Sequence, residues 1–169
     1  MTVDQIEIPL LLNQLGASLV EAIEQRQIEN PIVIGIHTGG VWVAEKIHQC
    51  LKVKEPLGLL DISFYRDDFS QIGVNPKVKQ SKLPLTVEGR DIILIDDVFY
   101  TGRTIRAALN EIFDYGRPRQ VILGVLIERN GRQVPIRPDC IGAEINLIAG
   151  QRIKLTGSEP LGVVIQTVS

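Results

Sequence analysis

Apolar positions along this chain switch between two periods. Leu11, Leu12, Leu15, Leu19, Val20 and Ile23 recur at spacings of three and four, which predicts an amphipathic helix over about 9–26. Gly16 weakens it locally without ending it. Asn30-Pro31 marks a turn. Ile32 to Ile36 is a continuous apolar run rich in β-branched residues, the signature of a strand buried on both faces. His37-Thr38-Gly39-Gly40 predicts a tight loop, and Val41 to Leu51 returns to helical spacing through Val43, Ala44 and Ile47. Leu57–Phe64 predicts a strand, and Asp91 to Asp97 predicts the next. Thr101 to Thr104 opens a helix that carries Ile105, Ala108, Leu109 and Ile112 on one face to about Tyr115. Gly116-Arg117-Pro118 ends it. Val121 to Ile127 is a further buried strand. Short β-branched runs among Gly and Pro then predict small strands and loops, the last strand at Val163-Val164-Ile165.

Strands that alternate with helices predict an α/β fold with a mostly parallel central sheet flanked by helices. The chain has 169 residues, no internal repeat and no linker, so one domain over 1–169 is expected. Its one interruption is the polar stretch 65–88, with Gly73, Asn75-Pro76 and Pro84. A loop of that length predicts a long flexible flap, and alternating Leu83, Leu85 and Val87 predict a short strand on its return. Hydrophobic residues at 44% and charged residues at 22% exclude wholesale disorder and a fibrous repeat. The longest apolar run, Val121 to Ile127, is too short to span a bilayer. A net charge of −2 argues against a globally basic nucleic-acid binder, and 5% aromatics against a base-stacking platform. Cys50 and Cys140 have no metal-site spacing and predict free thiols in a reducing compartment. The N-terminus has no basic segment before its apolar stretch and carries Asp4 and Glu7, so it does not read as a signal peptide; the expected address is the cytoplasm.

In open parallel sheets, ligands bind beyond the carboxyl ends of the strands. Three loops here follow strands: His37 to Gly40, Tyr65 onward, and Asp96 to Thr104. The third carries the most chemistry. A helix N-terminus at Thr101-Gly102-Arg103-Thr104 offers N–H groups and a positive partial charge to a phosphate. Gly102 permits close approach of the backbone, and the two threonines add hydroxyl donors. Asp96 and Asp97 accept hydrogen bonds, which suits vicinal sugar hydroxyls. Together they fit a ribose 5-phosphate. Paired aspartates also serve as metal ligands and a Thr-Gly-x-Thr run as a helix cap, and those readings stand beside it. Neither a Walker A loop nor a GxGxxG fingerprint is present. His37 is placed to touch a ligand, His48 reads as a solvated surface residue, and Trp42 as core or interface. Arg129, Arg132 and Arg137 form a loose basic group. Ser63 and Ser158 lack a base nearby, so a serine hydrolase is not supported.

Residues 92–104, Ile-Ile-Leu-Ile-Asp-Asp-Val-Phe-Tyr-Thr-Gly-Arg-Thr, resemble the phosphoribosyl-pyrophosphate (PRPP) motif of type I phosphoribosyltransferases. Residues 60–68, Gly116-Arg117-Pro118, residues 134–139 and Ile141-Gly142 resemble the PyrR family of pyrimidine-operon regulators that double as uracil phosphoribosyltransferases. The likeness covers about residues 32–145. It implies the type I phosphoribosyltransferase fold. It implies that Asp96 and Asp97 hold the ribose 2- and 3-hydroxyls, and that Tyr100, Thr101, Gly102, Arg103 and Thr104 wrap the 5-phosphate. Thr38, Gly39 and Gly40 become the pyrophosphate loop, and Arg66 at the base of the flap joins the catalytic set. Arg129 and Arg137 are the candidates near the base. Mg²⁺ is expected through the substrate's oxygens, with no direct protein ligand. The implied reaction joins uracil to PRPP to give UMP and pyrophosphate. The implied partners are pyrimidine-operon mRNA and a second copy of the chain, as a homodimer or higher homo-oligomer.

Two departures bear on that expectation. Family members often carry Arg where this chain has Gly39, which removes a cation from the leaving-group side; Arg66, Lys77, Lys79 and Lys82 are the candidates to replace it. The first helix, used by some members to bind RNA through basic residues, has Arg26 against Glu21 and Glu24 here, a poor surface for phosphates. A uracil phosphoribosyltransferase is therefore weighed against a nucleotide-sensing regulator with little turnover that binds RNA or a protein, and against a purine-specific enzyme.

Overall fold

The computed structural model describes residues 6–62, 81–83 and 86–168. Pro9 sits in the first turn of α1 (Ile8–Gln25), where a missing N–H costs nothing. β1 (Ile32–Ile36), α2 (Gly39–Leu51), β2 (Gly58–Leu60), β3 (Asp91–Phe99), α3 (Arg103–Tyr115), β4 (Gln120–Arg129) and β5 (Cys140–Ile145) follow. The five strands form one parallel sheet in the order β2-β1-β3-β4-β5. A separate antiparallel hairpin, β6 (Gln151–Thr156) and β7 (Gly162–Thr167), closes the chain.

Alternation along the strands divides the core in two. Val33, Ile93, Ile95 and Ile122 pack with Leu11, Leu15 and Leu19 of α1 and Val43, Ala44 and Ile47 of α2. Ile32, Ile34, Ile92, Leu94 and Leu123 pack with Ile105, Ala108 and Ile112 of α3. The parallel sheet is thus covered on both faces, which is why its strands read as continuous apolar runs. α2 approaches β1 so closely that a β-carbon at Gly35 would stand 2.7 Å from that of Ala44.

The expected elements are present, with shifted ends. α2 begins at Gly39, two residues inside the predicted loop. Glycine is a weak helix former, so local propensity hid a turn that tertiary contact holds. β3 runs past Asp97 to Phe99 because Val98 and Phe99 pair with Ile127 and Glu128 of a longer β4. Of the predicted strand 57–64, β2 takes Gly58–Leu60, Ile62 is buried, and Ser63 and Phe64 lie outside the described residues. Most of the predicted flap, including 65–80, Pro84 and Leu85, lies outside them too. Where its return is described, Lys82 exchanges two backbone hydrogen bonds of 2.8 Å with Leu59 in a single antiparallel bridge. No helix among the described residues is long and apolar enough to cross a membrane.

Connections are pinned by side chains. The crossover from β4 to β5 has no helix, and Asp139 secures it. The Asp139 amide donates to Leu123 O at 2.8 Å, and its carboxylate accepts from Leu123 N at 2.8 Å and from Arg26 at 2.8 Å. At the start of β3, buried Asp91 accepts from Arg119 Nε at 2.7 Å, from Arg119 Nη2, and from Gln120 Nε2 at 3.2 Å. The bonded Arg119 guanidinium holds the Asp91 carboxyl below its ordinary value of 3.8. A carboxylate depressed by folding contributes stability that is present above its ordinary value and lost as pH falls through the folded one. Asp91→Asn is therefore expected to lower the Tm at neutral pH, with the gap to the parent closing as pH falls below 3.8. Thermal denaturation from neutral to acid pH checks this, and a gap independent of pH contradicts it.

Candidate functional site

The carboxyl ends of β1 and β3 meet the N-termini of α2 and α3 at one end of the sheet. Asp96 and Asp97 sit where β3 leaves the core. Asp96 is only 5% exposed. Burying carboxylates is costly unless they are bonded, and each is bonded locally. Asp96 Oδ1 accepts from Asp97 N at 2.9 Å, and Asp97 Oδ1 accepts from Val98 N at 2.8 Å. The first turn of α2 lies directly on the pair. A β-carbon at Gly39 would stand 2.1 Å from Asp97 Oδ2, and one at Gly40 would stand 2.8 Å from Asp96 Oδ1. The positive end of the α2 dipole thus faces two negative charges, a favourable arrangement. Just before it, the His37–Thr38 peptide bond is cis, and His37 N donates to Leu60 O at 2.8 Å.

The opposite wall is the turn from β3 into α3. Gly102 has φ +91°, and a β-carbon there would also meet Val134 Cγ2 at 2.6 Å, so glycine is required twice over. Thr101 Oγ1 accepts from Arg103 N at 3.2 Å. The 130–139 connection folds onto this turn: Gln133 N donates to Thr101 O at 3.0 Å and Arg103 Nε donates to Gln133 Oε1 at 3.2 Å. Tyr100 is held between a guanidinium and a glycine. Arg129 lies 3.9 Å from its ring centroid, and a β-carbon at Gly131 would stand 2.4 Å from its Cε2. Arg129 Nη1 also donates to Gln151 O at 3.2 Å, and Asn130 clamps both backbone groups of Leu147 at 2.9 and 3.1 Å. Those bonds tether the C-terminal hairpin to the end of β4.

Between the walls is a cavity of about 750 Å³. It brings together Thr38, Gly39, Asp96, Asp97, Tyr100, Thr101, Arg103 and Thr104 of the predicted set. Gly40 and Gly102 are buried immediately behind it. Arg66, Lys77 and Lys79 lie outside the described residues, and Lys82 makes its bridge to Leu59. Arg129 does not line the cavity but stacks on Tyr100, and Arg137 is exposed and does not line it either. His37 lines the cavity, and so does Trp42, which also packs against the α1 side of the core. His48 is part-buried, with Nε2 2.7 Å from Glu55 O.

Four lining residues had no place in the sequence reading of the site: Gln133, Arg152, Lys154 and Leu155. For the β6 pair a signal existed. In Gln-Arg-Ile-Lys-Leu-Thr, Ile153 and Leu155 are buried while Arg152 and Lys154 are exposed, an alternation of period two. Gln133 gave none, because its role rests on tertiary contact with Thr101.

The carboxylates here number two. Among the described residues no cluster of three or more His, Cys, Asp or Glu side chains could hold a metal ion. A hard cation that keeps most of its waters and takes one or two carboxylates plus phosphate oxygens fits such a donor set. Cys50 is exposed and Cys140 buried, both as free thiols; burial pushes the Cys140 thiol up, away from reactivity.

Gly40→Ala probes the contact between α2 and β3. Its β-carbon would lie 3.0 Å from Ile95 O and 3.1 Å from Asp96 Cα, backbone atoms that cannot swing aside. A stability loss of roughly 1–3 kcal/mol is expected in urea denaturation; an unchanged midpoint contradicts the packing described.

Comparison with known proteins gives the family. Residues 2–151 match the phosphoribosyl transferase domain family. The chain is 50% identical to the bifunctional protein PyrR of Nitrosococcus oceani, over 96% of this chain and 93% of that one. It is 51% identical to the bifunctional protein PyrR of Pseudomonas fluorescens, over 94% and 95%. Among solved structures, a hypoxanthine phosphoribosyltransferase of Staphylococcus aureus superposes with a TM-score of 0.64 over 83% of this chain and 76% of that one, at 17% identity, a likeness of fold. Matched by that domain family over 2–151 and about half identical to these relatives along nearly its whole length, the chain belongs to the phosphoribosyltransferases and, among them, to the PyrR proteins.

Proposed function

We propose that this chain transfers the ribose 5-phosphate of PRPP to uracil, forming UMP and pyrophosphate, as one domain over 1–169 with 65–88 as its flap. The observation that carries the reading is the Asp96-Asp97 pair set between two helix N-termini in a single cavity. The turn 100–104 at the start of α3 takes the 5-phosphate, through backbone N–H groups and the hydroxyls of Thr101 and Thr104. Asp96 and Asp97 accept from the ribose 2- and 3-hydroxyls. Thr38, Gly39 and Gly40 face the pyrophosphate. A uracil ring nitrogen bonds to the anomeric carbon as the bond to pyrophosphate oxygen breaks, and the proton of that nitrogen passes to water. Positive charge develops on the ribose, and the two fixed carboxylates lie where they stabilise it. Substrate oxygens beside Asp96 and Asp97 would hold a Mg²⁺, which when bound would supply neutralisation of the leaving group's charge. Arg66 is assigned to the pyrophosphate from the flap, and Arg129 and Arg137 to the neighbourhood of the base, Arg129 acting through Tyr100.

The curated relatives are named bifunctional, and we extend to this chain a second role in regulating pyrimidine genes in response to bound nucleotide. Within that role α1 is a poor surface for mRNA. It carries no basic residue in its last turn, and the adjacent Arg26 is paired with Asp139 at 2.8 Å. Self-association belongs to the same proposal; α3 leaves Phe113 56% exposed.

The test is steady-state formation of UMP from PRPP, uracil and Mg²⁺, with guanine, hypoxanthine and orotate as alternative bases. Uracil is expected to be preferred, chelation to stop turnover and Mg²⁺ to restore it. Asp97→Asn is expected to lower kcat/KM at least about 100-fold with little change in Tm. Preference for a purine, or full activity in Asp97→Asn, overturns the assignment.

A further inference from the structure

The cavity has an asymmetry that the PRPP reading leaves open. At the α3 end, a helix N-terminus, two threonines and Arg103 meet the 5-phosphate. At the α2 end, where pyrophosphate would lie, the loop is Thr38-Gly39-Gly40 and has no cation of its own. A β-carbon at Gly39 would run into Asp97 Oδ2, so the loop has no room for one without moving that carboxylate.

The C-terminal hairpin lines the same cavity and is fastened to α2 at one end. Lys46 of α2 and Glu159 in the turn between β6 and β7 form an ion pair of 2.5 Å. Leu155 is buried in the same core cluster against which Trp42 packs, one turn into α2, and both line the cavity. At its other end, β6 is tied to β4 by the bond from Arg129 to Gln151 O. The strand therefore crosses the mouth from the end of β4 to α2. Its alternation buries Ile153 and Leu155 and leaves Arg152 and Lys154 exposed, and both of these line the cavity. Among the described residues neither is paired with a carboxylate. Two like charges two residues apart on one strand, both lining one cavity, favour an anion between them.

We propose, on the PRPP reading above, that Arg152 and Lys154 are pyrophosphate ligands, supplied by the hairpin in place of a cation in the Thr38–Gly40 loop. They neutralise the departing pyrophosphate from outside the sheet, while the loop offers backbone groups from within. Because UMP has no pyrophosphate, the assignment separates the two nucleotides. PRPP and inorganic pyrophosphate engage the hairpin, and UMP does not depend on it.

Calorimetric titration of PRPP, Mg²⁺-pyrophosphate and UMP into the full chain tests this, with Arg152→Gln, Lys154→Met and the double variant. The double variant is expected to weaken PRPP and pyrophosphate at least about tenfold while UMP stays within about twofold. Lys154→Arg keeps the charge and is expected to retain PRPP affinity, which a purely structural role for the hairpin does not require. Unchanged PRPP affinity in the double variant overturns the inference, and so does equal weakening of PRPP and UMP. Parent protein that binds neither PRPP nor UMP overturns the underlying reading itself, an outcome distinct from the other two.

Discussion

Gly39 and Gly40 lie against Asp97 and Asp96 so closely that a β-carbon on either would collide with a carboxylate oxygen. That contact joins the first turn of α2 to the end of β3, and the rest of the site is arranged around it. It places a helix N-terminus over two negative charges at the end of the largely apolar strand β3. It also fixes where Asp96 and Asp97 point, since each is bonded to the next backbone amide along the strand. With the carboxylates set, the turn into α3 lies at one side and the Thr38–Gly40 loop at the other. The spacing between the carboxylate pair and the α3 turn is then set by the end of β3.

The charges around that core come from different depths of the chain. Asp96, Asp97, Thr101, Arg103 and Thr104 fall within nine consecutive residues, and Thr38 and Gly39 follow the neighbouring strand. Arg152 and Lys154 arrive from a hairpin outside the sheet, held by Arg129 at one end and Lys46 at the other. Ile153 and Leu155 of the hairpin are buried in the same core cluster as α1 and α2, with Leu161, Val163 and Ile165 packed against it. The two carboxylates thus stand on the sheet, and two of the cations lining the cavity stand on the hairpin.

How much of this was legible depended on whether the signal was local. The strand from Asp91, its two aspartates and the Thr-Gly-Arg-Thr turn could be read as one functional unit because β3 and α3 are contiguous. The parallel sheet was legible because burial on both faces leaves unbroken apolar runs such as Ile32–Ile36. The start of α2 was not, because two glycines argue against a helix until the aspartates beneath them are known. Gln133 was hidden, since it reaches the cavity only through its contact with Thr101, whereas Lys154 sat in a readable period-two strand whose place beside the cavity only the fold supplies. Arg129, a basic residue expected near the base, stacks on Tyr100, a geometry that only the fold reveals.

The central claim is that one cavity binds a ribose 5-phosphate with its hydroxyls on the carboxylate pair and its phosphate on the α3 turn. A crystal structure of the chain with UMP and Mg²⁺ tests it most directly. The account predicts the phosphate within hydrogen-bond distance of the backbone at 101–104, and the ribose hydroxyls on Asp96 and Asp97. A phosphate seated elsewhere, or a ribose turned away from both aspartates, would contradict it.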